Sequence, residues 1–348
     1  MRLVIPVIRL EYHRVEPVFL CAPRGAADRL QFASRQTSFL PYAVLMLPLA
    51  ISRPLRVIAL AAMTLFAARP GMCSDTVAHD SVSLTPESLS NGAPCLITVA
   101  LHDEASAVTG NWQGHPVMFF ANTGHRTWFA LTGVDVEVHP GNYPLTIDAT
   151  LKDGTHGTLH QDVKVEEAPY EKVPLSVPDK FVEPNAAALK KIAADKIVKD
   201  KAFANSAAKP EWSGNFHPPL HLAPQSDSFG NQRIFNGKLD SVHRGLDYRA
   251  KMRTPVAAIN SGRVVLARPL YFEGGCVVID HGLGLMSIYM HLSKIEVSVG
   301  KKVRRGQIIA LSGASGRATG PHLHLGVRWQ GSYLDPAKLF QIQMPQVR

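Results

Sequence analysis

The octapeptide His322-Leu-His-Leu-Gly-Val-Arg-Trp329 alternates two kinds of side chain. An extended strand sends successive side chains to opposite faces. His322 and His324 therefore share one face, and Leu323, Leu325 and Val327 share the other. The pattern asks for a sheet with an apolar core on one side and a pair of imidazoles on the other. The preceding sequence supplies partners for such a strand. Short β-like runs at 262–267, 276–280, 286–290 and 307–311 are separated by Gly-containing turns.

Two further motifs bring chemistry toward this strand. His243-Arg-Gly-Leu-Asp247 offers an imidazole and a carboxylate, and Tyr289-Met-His291 offers another imidazole. With His322 and His324 this makes five candidate residues for one zinc site. A catalytic zinc takes about three protein ligands and keeps an open position for water. Two of the five are then left over for catalysis. Amide hydrolysis near neutral pH needs a strong nucleophile and a stabilised oxyanion. Zinc lowers the pKa of water to about 7 and polarises a carbonyl. An imidazole, with a pKa near 6.5, takes up and passes on the proton. His-Glu-x-x-His, which uses a Glu as base, is absent from the chain. Nine other histidines, at 102, 115, 125, 139, 156, 160, 217, 221 and 281, read as non-ligands; Asp280-His-Gly282 reads as a strand end leading into a turn.

His243-x-x-x-Asp247 followed by His322-x-His324 resembles the M23 (lysostaphin-type, LytM-like) zinc metallopeptidases. Ser228-Phe-Gly230, Asn236-Gly237, Asp280-His-Gly282, Tyr289-Met-His-Leu292, Val299-Gly300, Val303-Arg-Arg-Gly306 and Gly320-Pro-His-Leu-His324 follow in that family's order. The resemblance covers residues 226–340. It implies that His243, Asp247 and His324 hold one zinc ion per chain. It also implies that His291 and His322 flank the activated water, as general base and transition-state stabiliser. The chain departs from the pattern at Gly274-Gly-Cys276, where relatives more often have Gly-Asn, and this bears on substrate fit. The run from Val299 to Gln307 also resembles lipoyl- and biotinyl-type hybrid barrels, without their modified-lysine turn. The shared topology supports a duplicated hybrid β fold. In some relatives a segment before the first His supplies a side chain to the open zinc position, and by place Asn231 and Asn236 are the candidates here.

The chain has 348 residues, room for two domains with leader and linker. Residues 1–73 read as a leader with a signal peptide. Arg53-Pro-Leu-Arg56 is basic, Val57–Ala68 is an apolar run of h-region length, and Gly71-Met-Cys73 offers a cleavage site before Ser74. Met46 as the true start gives a normal n-region. A second apolar run, 39–51, keeps a membrane anchor through the leader in play. The net charge of +9 suits an anionic partner. With no nucleic-acid motif in view, the cell wall is the expected partner rather than nucleic acid. Cys95 and Cys276 lie in different predicted domains and read as two buried thiols rather than a disulfide.

Residues 80–166 are expected to form an Ig-like β-sandwich, with runs at 95–100, 116–120, 127–131, 143–150 and 158–165. Asp153-Gly-Thr-His-Gly157 is a hairpin signal between the last two. Residues 167–225 read as a connector with a helix over 185–199, capped by Asn185. The fold class is therefore mainly β, an Ig-like sandwich followed by an antiparallel-β M23 peptidase domain. The expected function is an exported zinc metalloendopeptidase, in the periplasm or cell envelope or secreted, acting on peptidoglycan peptides. Two other readings stand beside it: a non-catalytic wall-binding or amidase-activating regulator, and a zinc peptidase acting on Gly-rich proteins.

Overall fold

The structure, a computed structural model, describes residues 11–13, 80–221, 223–237 and 239–346. Nearly all of the leader, including the signal-peptide features at 53–73, Met46 and the 39–51 run, lies outside the described residues. Among the described residues no helix is long and apolar enough to cross a membrane.

The chain is mainly β. Residues 81–166 form two sheets. One is built on the long antiparallel pair Gly141–Leu151 and His156–Glu166, flanked by Ala105–Trp112 and His115–Met118; the other joins Ser81–Thr85, Pro94–Ala100, Thr127–Gly133 and Phe120–Ala121. Alternation drives the packing. Leu145, Ile147, Ala149 and Leu151 turn inward from one strand, Leu159, Val163 and Val165 from its neighbour, and Cys95, Ile97 and Val99 from the facing sheet. At the hairpin tip Gly154 takes φ +86°, a conformation favouring glycine. The Asp153 carboxylate accepts from the Thr155 N–H at 2.8 Å there.

The second half is organised around an eight-stranded sheet. Its order is Gln225–Asp227, Leu246–Arg249, His322–Trp329, Leu285–Leu292, Gly274–Gly282, Gly262–Leu270 and Lys302–Val303, with Ser332–Leu334 paired to the His322 strand. Every pairing in it is antiparallel. Leu323, Leu325 and Val327 point into the core with Leu246, Tyr248, Val277, Ile279 and Tyr289. That core continues without a break into the sandwich. The two halves also meet through backbone. Asp335 N–H donates to the Gly92 carbonyl at 2.8 Å, and Tyr333 N–H donates to the Asp135 carboxylate at 2.6 Å.

The helix runs Ala186–Phe203, four residues past its expected end, with Asn185 Oδ1 accepting from Ala188 N–H at 2.9 Å. It lies along the Gly262–Leu270 strand. Val198, Ala202 and Phe203 cover Leu266, Leu270, Cys276 and Met286 there. A hydrogen bond and an ion pair fix it. Asp195 accepts from Tyr271 N–H at 2.6 Å, and Lys199 pairs with Glu273 at 2.5 Å. Cys95 and Cys276 are free buried thiols; burial pushes Cys95 up to about 12.

The connector holds one element that its composition hides. Lys172–Leu175 pairs in parallel with Gln232–Phe235, which pairs antiparallel with Leu239–Val242. Pro174 is tolerated because this is an edge strand. The resulting three-stranded sheet stands in front of the His322 strand and forms one wall of a cleft of about 540 Å³.

Candidate metal centre

Of the five residues singled out by the motifs, Asp247 and His322 line the cleft. Asp247 and His324 are direct cross-strand partners, as are Arg249 and His322 two rungs away. His243 follows the Leu239–Val242 strand, and its backbone is pinned on both sides. Its N–H donates to the Asn231 carbonyl, and its own carbonyl accepts from Gly230 N–H, each at 2.8 Å. Gly245 then lets the loop pass over His324. A Cβ on Gly245 would collide with the His324 imidazole and lie 2.6 Å from the Leu325 carbonyl oxygen.

Three donor atoms converge. His243 Nε2 lies 3.2 Å from Asp247 Oδ1 and 3.0 Å from His324 Nδ1, and His324 Nδ1 lies 2.9 Å from Asp247 Oδ1. All three residues are buried. His243 Nδ1 is 2.8 Å from the Ser228 carbonyl, so in the neutral ring it carries the proton and Nε2 presents a lone pair. His243 Nε2 and Asp247 Oδ1 are then two acceptors facing one point, which a cation satisfies and a hydrogen bond between them does not. A tetrahedral ion with bonds of about 2.0–2.1 Å places its donors about 3.3 Å apart. The donor set and its spacing therefore fit a metal ion.

The electrostatics agree. Burial alone would raise the Asp247 pKa, but the adjoining His243 and His324 imidazoles outweigh it and hold the carboxyl far below the usual range. Burial takes His324 down to about 4, against the pull of Asp247. Both groups are thus held in the form that binds metal.

His291 and His322 stand beside the trio. Their ring centroids are 4.6 Å apart, and His291 is 6.1 Å from His324. Each has Nδ1 2.8 Å from a backbone carbonyl, Ser315 for His291 and Gly320 for His322. In the neutral rings both therefore present a bare Nε2, the device already seen at His243. His322 Nε2 is 3.9 Å from Asp247 Oδ2. His291 has φ +61°, a left-handed conformation uncommon for a residue with a Cβ. It is held there by its N–H donating to the Glu273 carbonyl at 2.8 Å. Burial, reinforced by His322 and His324, takes its pKa down to about 3.

Asn231 and Asn236 do not reach the trio. Asn231 Nδ2 donates to Asp227 at 2.9 Å, and Asn236 is bonded to Val177 and Asp179. Their amides are consumed in fixing the front sheet. The residues that do reach it carry no motif. Arg233 Nη2 donates to Asp247 Oδ2 at 2.5 Å, and Arg233 Nε donates to Asp227 at 2.8 Å. Asp227 also lies 3.4 Å from His243 Nδ1. Arg233 occupies one oxygen of Asp247 and so turns the other toward the two imidazoles.

Residues 241–336 match the profile of Peptidase family M23. A stretch of 140 residues is 51% identical to peptidoglycan DD-endopeptidase ShyA of Vibrio cholerae, covering 40% of this chain and 30% of that protein. A stretch of 98 residues is 37% identical to the DD-carboxypeptidase/endopeptidase Mpg of Neisseria meningitidis, covering 28% of this chain and 23% of that one. The chain thus spans less than a third of the length of these curated relatives. A crystal structure of a candidate peptidase M23 from Pseudomonas aeruginosa superposes with a TM-score of 0.53 at 28% identity, over 72% of this chain and 94% of that one. With the fold, the cluster and these likenesses together, the chain carries a metallopeptidase domain of peptidase family M23.

Proposed function

We propose that the protein is an exported zinc metalloendopeptidase that hydrolyses peptide bonds in peptidoglycan. One observation carries the reading: three buried donors on His243, Asp247 and His324 converge on a point beside two imidazoles with bare Nε2 atoms. The names of its relatives support peptidoglycan as the substrate and the cell envelope as the location.

His243, Asp247 and His324 are the proposed ligands. Bound there, zinc supplies Lewis acidity, which lowers the pKa of water to about 7 and polarises an amide carbonyl. The chain's own residues do the rest. His322 Nε2, on the cleft side of the trio, accepts the proton of the attacking water and returns it to the leaving amine. His291, kept neutral by burial, is oriented by the Ser315 carbonyl; its Nε2 faces the same space and holds the water by hydrogen bond. Arg233 keeps the Asp247 carboxylate turned toward the imidazoles.

Mass spectrometry of purified peptidoglycan after incubation with the zinc-loaded full chain tests this. New free amines within the peptide part are expected and would identify the bond. Peptides released whole from the sugar would mean an amidase instead. An unchanged wall beside stoichiometric zinc would favour a regulator.

A further inference from the structure

Three arginines line the cleft beside the His and Asp cluster: Arg233, Arg249 and Arg317. Arg233 is already engaged by Asp227 and Asp247. The other two have no ion pair among the described residues.

Arg317 is the informative one. Its guanidinium carbon lies 4.6 Å from the Phe235 ring centroid and 4.8 Å from that of Phe272. Its backbone N–H donates to the Phe272 carbonyl at 2.8 Å, which holds the residue at the rings. The side chain is half-buried, and burial together with the nearby Arg233 charge lowers its pKa. Glu273 is the acid that draws on it, but that carboxylate is taken by Lys199 at 2.5 Å. A guanidinium has five N–H donors and no way to shed its charge. Withdrawing it from water without an anion costs free energy that stacking on two rings offsets only in part. It lies five positions before His322 along the same wall.

Arg249 adds a second positive charge on the proper side. It pairs with His322 across the two strands and lies two residues beyond Asp247, so both project from one face. It is exposed at the mouth of the cleft.

We propose that Arg317, with Arg249 beside it, recognises a free carboxylate on the substrate peptide close to the scissile bond. The inference rests on the peptidase reading for its substrate and names the feature selected. The guanidinium fork matches a carboxylate with two parallel N–H···O bonds, which a carboxamide cannot accept in the same way. Peptides with that carboxyl amidated are therefore poor ligands.

The test uses two synthetic peptides, alike except that the residue next to the scissile amide carries a carboxylate or its carboxamide. The scissile amide is N-methylated so that it survives. Calorimetry on the zinc-replete full chain gives a Kd for each. The wild type is expected to bind the carboxylate form about tenfold or more tightly, as for a charged hydrogen-bonded partner. Arg317→Gln brings the ratio near one, with the carboxamide Kd and zinc content unchanged, and Arg317→Lys keeps only part of the preference. A wild-type ratio near one, or a ratio that survives Arg317→Gln, overturns the proposal. Should Arg317→Gln misfold, the exposed Arg249→Gln variant decides: a ratio lowered severalfold supports the pair, and an unchanged one overturns it. Hydrolysis of the unmethylated peptides is read separately. If neither is cut the peptidase reading fails, while the Kd ratio still judges Arg317.

Discussion

Asp247 and His324 occupy the same rung of two antiparallel strands, with Oδ1 2.9 Å from Nδ1 across the gap. The register of one strand pair thus creates two-thirds of the candidate metal centre. His243 completes it from a loop whose path depends on Gly245.

Gly245→Ala should therefore damage the centre without touching a donor. The added methyl would meet the His324 imidazole and the Leu325 carbonyl, and only the imidazole can yield. Zinc affinity is expected to drop tenfold or more, about the effect of disturbing a ligand's support. Competition with a chromophoric chelator measures it; a wild-type affinity would mean that the loop shifts instead.

Arg233→Met should weaken zinc by about 10–100-fold, because Asp247 loses the partner on its outer oxygen. The effect is orientational. A lysine at the same place keeps the charge but not the fork to Asp227 and Asp247, so Arg233→Lys should recover only part. Full recovery would reduce the role of Arg233 to charge alone.

How much of this was legible follows from where each residue sits. His322 and His324 could be read from the alternation of one strand. His243, Asp247 and His291 came with spaced motifs. Arg233 and Asp227 could not be read, because their place beside Asp247 depends on which strands become neighbours, and no short spacing records that. The same holds for Lys172–Leu175, whose parallel pairing with Gln232–Phe235 spans 60 residues of sequence. Asn231 and Asn236 were near enough in sequence to seem suited to the open metal position, but the front sheet uses their amides.

His322→Ala and His291→Ala should separate chemistry from metal binding. Neither ring is among the three convergent donors. Turnover on peptidoglycan should fall by about 10²–10⁴, the range for a lost acid–base group, while zinc stays stoichiometric. Metal analysis of each purified variant decides. Zinc lost along with activity would make the residue a ligand.

Stability should fall on mild acidification through a histidine outside the cleft. His281 is fully buried, with Nδ1 2.7 Å from the Ser261 carbonyl and Nε2 2.8 Å from Ser287 Oγ. Burial takes its pKa from 6.5 down to about 4, against the Ser261 bond and the Asp280 charge. The unfolded chain therefore takes up the proton first as pH drops. Its contribution is complete above about pH 6.5 and is lost as pH falls toward 4, a change of about 3 kcal/mol. Urea unfolding of zinc-free protein across that interval measures it, with His281→Gln as the reference. Zinc-free samples keep ligand release out of the comparison, and His291 and His324 contribute equally to both proteins. The wild-type curve should fall more steeply than that of the variant, and parallel curves would mean that His281 titrates alike in the folded and unfolded chains.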